Sequence, residues 1–349
     1  MNKSLVFLAL MAFCETLSDA QSIPGTLLLT NYTVSPDEPV VGRVTVHNNE
    51  NQTFSVEGPN ATLFRMIGDE IHLSKKGRKY FRDSERCEVI ISARNKGIPR
   101  GTFTIVKNDF HTNPVVAHRG CWKNTGFPQN SLAALEAAIA LGVYGSEFDI
   151  HMTSDSVLVV NHDPDFNGMS IAQNPYEVLS NQPLANGEPL PTFEAFLKTG
   201  ISQQSTRLIA ELKPSPLGEA HSLKMAEKVI GTVRRMQAQA WMVYISFDYN
   251  ILKKILSLDP YAKTQYLNGN VSHEQLRADG IDGADYHYSL YLKDEQWINK
   301  AHNLKLHVNA WTVNDPVLME YFLTKRIDQI TTDEPESLLD LFKTKDTTR

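Results

Sequence analysis

The chain has few cysteines and no strongly basic stretch. Its 349 residues include three cysteines and carry a formal net charge of −6. So few cysteines exclude a small disulfide-built scaffold. A negative net charge, without any sustained run of Lys or Arg, argues against a nucleic-acid partner or an anionic membrane surface. No apolar stretch reaches the length of about 20 residues that a membrane-spanning helix needs, so no stable membrane insertion is predicted.

The N-terminal residues have the pattern of an export signal. A single positive charge is followed by a short apolar stretch and then by small residues ahead of Gln21. This pattern predicts that residues 1–20 are a signal peptide cleaved between Ala20 and Gln21, and that the mature protein is periplasmic or secreted. Lipid attachment at Cys14 is disfavoured because the bulky Phe13 precedes it.

The mature chain divides into two regions of different pattern. Residues 21–112 consist of short apolar runs separated by Gly, Asn, Pro and Asp, with no helical period, which predicts a small all-β sandwich. The order of its elements resembles a cadherin-type repeat whose acidic calcium motifs are missing, so we expect a spacer or docking domain without a calcium bridge. Cys87 lies in this region and Cys121 in the next, which predicts two free buried thiols.

From residue 113 onward, strand-like and helix-like segments alternate. Eight short runs rich in Val, Ile and Leu, separated mostly by helix-like stretches, predict a (β/α)8 TIM-type barrel over residues 113–349. The predicted barrel strands are 115–118, 144–150, 207–212, 242–247, 263–267, 283–287, 305–311 and 328–332.

Two insertions interrupt this alternation. Residues 157–160 are predicted as an extra strand beside the second barrel strand. Residues 163–192 are polar and rich in Pro and Gly, and are predicted as one long loop over the C-terminal face that serves as a substrate lid or wall.

Three carboxylates stand at the ends of two predicted strands. Glu147 and Asp149 are two residues apart on a strand, so their side chains point the same way, and Glu211 ends the next barrel strand. Because parallel barrel strands end on one face, the three carboxylates are expected to meet there. Carboxylate oxygens suit a hard cation, so one divalent ion, Ca²⁺ or Mg²⁺, is predicted at this site.

Two histidines and two basic residues occupy equivalent positions. His118 and His162 each follow a Val-rich strand, and an imidazole titrates near neutral pH, so they are predicted as general acid and base with the order left open. Arg119 and Lys213 are predicted to bind phosphate oxygens. Trp311 is predicted to form an apolar wall of the pocket. This mixture suits metal-assisted cleavage of a phosphate ester.

The spacing of these motifs resembles the glycerophosphodiester phosphodiesterase family over about residues 114–345. The resemblance implies the same metal ligands and hydrolysis of a small glycerophosphodiester to glycerol 3-phosphate and an alcohol, with attack by the substrate's 2-hydroxyl or by water. Gln129 stands where the family usually has Glu, which removes a charge near the predicted metal. The motifs are His118-Arg119-Gly120, Pro128-Gln129-Asn130-Ser131, Glu147-Phe148-Asp149, His162-Asp163, Glu211-Leu212-Lys213, Trp311-Thr312-Val313-Asn314 and Thr332-Asp333-Glu334-Pro335.

Two alternatives stay open at this point. The same barrel serves phospholipase-type phosphodiesterases, but such an enzyme is expected to expose apolar or basic loop segments, and none is evident in the sequence. A binding protein without catalysis is the other alternative, suggested by Gln129, although both histidines and all three carboxylates are retained. The alcohol released and the oligomeric state do not follow from the sequence.

Overall fold

The computed structural model describes residues 26–46, 52–94, 98–294 and 296–346. The predicted signal peptide and Cys14 lie outside these residues. None of the described helices combines the length and the apolar character needed to cross a membrane. The last strand of the N-terminal sheets ends at Lys107, and the first barrel strand begins at Val115.

The N-terminal region consists of two four-stranded sheets, ordered β1-β3-β6-β5 and β2-β8-β7-β4. Pairing is antiparallel except between β2 and β8. In β7, buried Cys87, Val89 and Ile91 alternate with more exposed residues, so one face of the sheet supplies the core. The prediction that paired β-sheets form this region is therefore confirmed. Its strands are β1 (Leu27–Leu29), β2 (Thr33–Val34), β3 (Val40–Val46), β4 (Phe54–Glu57), β5 (Phe64–Ile67), β6 (Glu70–Leu73), β7 (Arg86–Ala93) and β8 (Gly101–Lys107).

A helix interrupts these strands, although the sequence predicted none. Helix α1 (Lys75–Asp83) begins after Ser74, whose hydroxyl accepts a hydrogen bond from the Gly77 backbone N–H. Phe81 is fully buried, whereas most of the other helix residues are polar. The helix has too few apolar residues to show a helical period in the sequence. It is stabilised instead by the burial of one aromatic side chain and by its N-cap.

Eight parallel strands close into a barrel, as predicted. The strands follow the order β10-β14-β15-β16-β17-β18-β19-β9, and β9 also pairs with β10. The extra strand β11 pairs antiparallel with β10, which confirms the predicted strand at residues 157–160. The strands of this region are β9 (Val115–Ala117), β10 (Gly145–Met152), β11 (Leu158–Val160), β12 (Asp165–Phe166), β13 (Met169–Ser170), β14 (Arg207–Leu212), β15 (Met242–Ser246), β16 (Thr264–Tyr266), β17 (Gly283–His287), β18 (His307–Trp311) and β19 (Gln329–Thr332).

Helices surround the barrel, and side-chain caps mark where two of them begin. Ser131 accepts from the backbone N–H of Ala134 at the start of α2, and Asp315 accepts from two backbone N–H groups at the start of α10. The helices are α2 (Leu132–Leu141), α3 (Tyr176–Ser180), α4 (Phe193–Gly200), α5 (Glu219–Arg235), α6 (Tyr249–Leu258), α7 (His273–Ala278), α8 (Tyr288–Lys293), α9 (Trp297–Asn303), α10 (Pro316–Thr324) and α11 (Pro335–Asp346).

Alternation along the barrel strands separates the outer core from the interior. Phe148 and Ile150 of β10 belong to the large apolar core that also includes residues of the surrounding helices. Glu147 and Asp149, which alternate with Phe148 and Ile150 along β10, therefore point into the barrel. A smaller apolar cluster fills the interior of the barrel: Val116, Ile209, Val243, Ile245 and Leu267.

The segment 163–192 is folded rather than a plain loop. It contains the hairpin β12–β13 and helix α3, and Phe166, Ile171 and Leu179 form a small apolar core with residues of β11. The prediction of one long loop is therefore wrong, and none of the segment's described residues lines the cavity at the C-terminal face. Its few apolar residues are far apart in the sequence, which hid the local core.

The N-terminal sheets contact the barrel at the face opposite the strand C-termini. The Arg86 guanidinium donates to the backbone carbonyl of Ile201, which precedes β14, at 2.6 Å. Thr104 donates to Gln237, which precedes β15, also at 2.6 Å. Because these barrel residues lie in helix-to-strand connections, the N-terminal sheets do not reach the strand ends that carry the predicted site.

Cys87 and Cys121 are buried and free, as predicted. Burial raises the pKa of the Cys87 and Cys121 thiols to about 12. A buried thiol with such a pKa has almost no thiolate at neutral pH, so neither cysteine is a nucleophile.

Candidate active site

A cavity of about 170 Å³ lies at the C-terminal ends of the barrel strands. Seven of the nine residues named from the sequence line it, and Asp149 and Gln129 do not. The lining residues are His118, Arg119, Glu147, His162, Glu211, Lys213, Ile245, Phe247, Leu267, Asp285, Trp311, Thr312 and Thr331.

The three carboxylates meet on one side of this cavity. Glu147 and Asp149 point inward from β10, and Glu211 points inward from β14, where it lies in register with Asp149. One oxygen of each carboxylate lies within 4.8 Å of those of the other two. All three side chains are buried, with relative exposures of 3%, 1% and 7%. The sequence prediction that these residues come together is confirmed by this geometry.

Two cationic side chains partly compensate this charge. The Lys213 ammonium lies 2.9 Å from Asp149 Oδ1 and 2.7 Å from Glu211 Oε1. Arg119 Nε lies 3.6 Å from Asp149 Oδ2. Lys213 contacts Asp149 and Glu211, and the Arg119 guanidinium approaches Asp149, so Glu147 is the carboxylate with the least compensation by cationic side chains.

The pKa values of the carboxyls separate accordingly. Burial, and then repulsion from Asp149 and Glu211, raises the pKa of Glu147 well above its usual range. Burial and the charge of Asp149 raise the pKa of Glu211 to about 7. Burial also opposes ionisation of Asp149, but Lys213 and a hydrogen bond from Asn130 outweigh it and lower that pKa. Without a cation, the cluster therefore retains protons at neutral pH.

Asn130 fixes Asp149 in place, and the sequence predicted a different role for it. Its amide Nδ2 donates to Asp149 Oδ2 at 2.8 Å, and its Oδ1 accepts from the Asp149 backbone N–H at 3.3 Å. Asn130 adopts a left-handed φ of 61°, which directs its side chain to β10, while Ser131 caps the helix. Its place in the Pro-Gln-Asn-Ser motif was the available signal.

His118 forms a pair with Asp333, a member of the last of the motifs, for which the sequence predicted no role. Its Nδ1 lies 2.7 Å from Asp333 Oδ1, and Asn314 donates to the other oxygen of Asp333 at 2.7 Å. An imidazole whose Nδ1–H donates to a carboxylate presents Nε2 as its acceptor. That atom lies 4.0 Å from Glu147 Oε2, beside the acidic cluster. Burial opposes ionisation of Asp333, but the hydrogen bonds from His118 and Asn314 and the nearby positive charges together outweigh it and lower the pKa of Asp333.

His162 enters the same cavity from the end of β11. Its Nδ1 lies 2.7 Å from Asp163 Oδ1, so each histidine has a carboxylate at Nδ1. Burial lowers the pKa of His162. Buried His151 lies beneath it, with Nε2 at 3.1 Å from the backbone carbonyl oxygen of His162. Two histidines with oriented rings thus line one cavity.

The loop after β9 presents Arg119 to the site. The Arg119 backbone N–H donates to Glu147 Oε2 at 2.9 Å, with Arg119 at a left-handed φ of 58°. Its Nη1 donates to Gln129 Oε1 at 2.8 Å. Gln129 is exposed and makes this contact from outside the acidic cluster. Its amide therefore orients the guanidinium.

Gly120 makes this loop conformation attainable, and its replacement is expected to destabilise the protein. At a φ of 81°, an added Cβ would lie 2.7 Å from the backbone carbon of Ala134. We expect Gly120→Ala to lower the free energy of unfolding by more than about 2 kcal/mol, since backbone strain and a clash with main chain combine. Gly126→Ala is the control: its φ of 75° is similar, but nothing lies within 4 Å. Chemical denaturation measures the free energy of unfolding of both variants, and an equal loss in the two would contradict the clash at Gly120.

The donor set fits a hard divalent cation. All three ligands offer oxygens, and Glu147 Oε1 is buried without a hydrogen-bond partner among the described residues. An unpaired buried carboxylate oxygen beside two other carboxylates is costly unless a cation or a proton compensates it. The acidic cluster of Glu147, Asp149 and Glu211 can therefore hold a divalent metal.

Known proteins share these features. A model of the glycerophosphoryl diester phosphodiesterase family matches residues 118–337, which leaves the N-terminal sheets outside the match. The glycerophosphodiester phosphodiesterase of Caldanaerobacter subterraneus is 28% identical over 247 residues, covering 66% of this chain and 97% of that protein.

Solved structures have the same barrel. The crystal structure of a glycerophosphodiester phosphodiesterase from Parabacteroides distasonis has a TM-score of 0.65 and 39% identity, covering 68% of this chain and 99% of the other. An Oleispira antarctica phosphodiesterase, solved with its product sn-glycerol-3-phosphate, shares the fold at a TM-score of 0.58 and 24% identity, covering 66% of this chain and 97% of the other. The chain therefore belongs to the glycerophosphoryl diester phosphodiesterase family and is a phosphoric diester hydrolase.

Proposed function

We propose that this enzyme hydrolyses small glycerophosphodiesters to sn-glycerol 3-phosphate and an alcohol, and that the reaction depends on one divalent cation and two histidines. The observation that carries the proposal is one cavity lined by His118, His162, two of the three clustered carboxylates and both basic side chains. Hydrolysis of a phosphodiester needs neutralisation of the phosphate charge and two proton transfers, and the side chains of this cavity can supply them.

The residues divide this work by position. Glu147, Asp149 and Glu211 would hold the cation, which supplies Lewis-acid polarisation of the phosphoryl group when bound. Arg119 and Lys213 would bind phosphate oxygens and neutralise the charge that develops on them. One histidine would take the proton of the attacking hydroxyl or water, and the other would protonate the leaving alkoxide.

His118 and His162 have different surroundings. His118 is paired with partly buried Asp333, whereas His162 is paired with exposed Asp163. A partly buried carboxylate stabilises an imidazolium more strongly than an exposed one, since solvent screens the exposed pair. Asp333 therefore holds the His118 ring more firmly than Asp163 holds the His162 ring, whichever of the two histidines is the base.

Asp333→Asn is expected to lower kcat by about tenfold to a hundredfold, less than the loss of His118 itself, because the ring would lose its orientation and charge partner but remain present. Steady-state kinetics on glycerophosphocholine measures this loss, and a kcat equal to that of the unmutated enzyme would show that Asp333 does not position His118. Asp163→Asn, at the exposed pair, should change kcat less.

The native cation, the location and the partners are part of the same proposal. Both Ca²⁺ and Mg²⁺ take oxygen ligands, so either ion fits the three carboxylates. The signal pattern of residues 1–20 supports export to the periplasm or the medium. A small-molecule substrate fits a cavity of about 170 Å³, and neither a nucleic-acid partner nor stable membrane insertion is proposed.

The test is release of glycerol 3-phosphate from glycerophosphocholine by the purified 21–349 protein. The assay is run in EDTA and again after Mg²⁺ or Ca²⁺ is restored. Release that stops in EDTA and returns with one cation is the expected result. A folded protein that releases no glycerol 3-phosphate with either cation would contradict the proposal.

A phospholipase-type activity is the second candidate, and one observation favours it. Exposed apolar side chains lie on segments that follow four barrel strands on the face of the cavity, which the sequence did not predict: Phe127, Leu217, Leu292 and Val317. Val317 is 74% exposed. Such side chains can contact an acyl chain. Choline release from lysophosphatidylcholine at a rate near that from glycerophosphocholine would support this candidate, and its absence would exclude it.

A further inference from the structure

The side of the cavity that faces the acidic cluster is mostly apolar. β17 is the fourth barrel strand from β10 in either direction, so it lies across the barrel from Glu147 and Asp149. Around it, the cavity lining is Ile245, Phe247, Leu267 and Trp311. The Phe247 and Trp311 rings contact each other edge to face at 5.4 Å between centroids. We call this side the far wall.

Asp285 is the acidic side chain on the far wall. It points inward from the middle of β17, is 1% exposed and lines the cavity. Asp285 pairs in register with Asn309, whereas Trp311 pairs with His287, so Asp285 lies one inward-facing layer deeper than Trp311. Its Oδ1 has no hydrogen-bond partner within the part of the chain that the structure describes.

The surroundings of Asp285 differ from those of the acidic cluster. Asp149 has Lys213 and Arg119 beside it, whereas no described ion pair includes Asp285. Burial raises the pKa of Asp285 to about 8, against a hydrogen bond from Asn309 that lowers it. A neutral carboxyl both donates and accepts a hydrogen bond, as a hydroxyl does, so the two groups are matched partners.

We propose that Asp285 binds the terminal hydroxyl of the substrate's glycerol unit, and so selects glycerol phosphodiesters over similar phosphodiesters that lack this hydroxyl. This inference rests on the proposed function. The phosphate is held at the acidic cluster, and the 2-hydroxyl is close to it in the covalent structure of the substrate. The terminal hydroxyl extends further, and the glycerol carbons would pack on Phe247 and Trp311. A buried polar group left unpaired by a poor substrate penalises that substrate.

The test compares glycerophosphocholine with the analogue in which the terminal CH₂OH of glycerol is a methyl group. We expect kcat/KM of the unmutated enzyme to be about 10- to 100-fold higher for glycerophosphocholine, the range of a lost buried hydrogen bond. Asp285→Leu should lower kcat/KM for glycerophosphocholine and leave the analogue nearly unchanged, so that the ratio falls to within about threefold. Asp285→Asn should recover part of the preference, because an amide still bonds a hydroxyl.

Asp282→Asn is the matched control, because Asp282 directly precedes β17, the strand that carries Asp285. Asp282 accepts from the Thr264 backbone N–H at 3.0 Å and does not line the cavity, so the substrate ratio should not change. Equal losses on both substrates in Asp285→Leu would assign Asp285 a structural role and overturn the proposal. Equal kcat/KM for the two substrates in the unmutated enzyme would overturn it even if that variant does not fold. Failure of the proposed function is distinct, since the unmutated enzyme would then release no glycerol 3-phosphate.

Discussion

Replacing His118 or His162 with alanine is expected to lower kcat for glycerophosphocholine by about 10²- to 10⁴-fold, the usual contribution of general acid–base catalysis. Each ring lines the cavity and has a carboxylate 2.7 Å from Nδ1, which leaves Nε2 free for proton transfer. The fold should persist, because neither ring belongs to the apolar core. Steady-state kinetics, with circular dichroism to verify folding, measures both effects.

The chain offers a matched control for these two variants. His302 is also paired with a carboxylate, at 2.9 Å from Asp328, but it does not line the cavity. His302→Ala should therefore change kcat by less than about twofold, as expected of a surface ion pair. Retention of more than about a tenth of the activity in His118→Ala or His162→Ala would remove that histidine from the mechanism.

The barrel was predictable because each strand is buried on both faces. Such strands are continuous apolar runs, so the predicted segments 207–212 and 283–287 coincide with β14 and β17. The side chains at their C-terminal ends then follow from the closure of the barrel, which brings Glu147 and Glu211 together. The hydrophobic pattern and the barrel topology together were therefore enough to predict that these carboxylates meet.

The partners of the site residues were not predictable in the same way. Asp333 pairs with a histidine 215 residues away in the sequence, and nothing local indicates which polar residue meets His118. Asp285 lies inside an apolar strand, without a motif around it. The small core beneath residues 163–192 likewise joins apolar residues that are distant in sequence. These features depend on which elements meet in three dimensions.

Glu147→Gln is expected to weaken the binding of Ca²⁺ or Mg²⁺ by at least about tenfold, because an amide oxygen replaces one of three charged ligands. Glu147 is the informative position, since its Oε1 has no partner within the described residues and the basic side chains approach Asp149 and Glu211 instead. Titration calorimetry on the whole mature protein measures the affinity without relying on activity. Glu136→Gln, an exposed position on α2, is the control.

The same variant has a second, opposite effect on the metal-free protein. The pKa of Glu147 is raised by burial and by Asp149 and Glu211, so its proton stabilises the fold at low pH and that stabilisation is lost as pH rises through the folded pKa. A glutamine cannot ionise. The Tm of the metal-free variant should therefore fall less steeply with rising pH than that of the unmutated protein, while added cation should raise its Tm less. If both proteins instead show the same pH dependence and the same gain in Tm from the cation, Glu147 is not a metal ligand. Opposite changes in the two conditions are the signature of a carboxylate that repels its neighbours until a cation joins them.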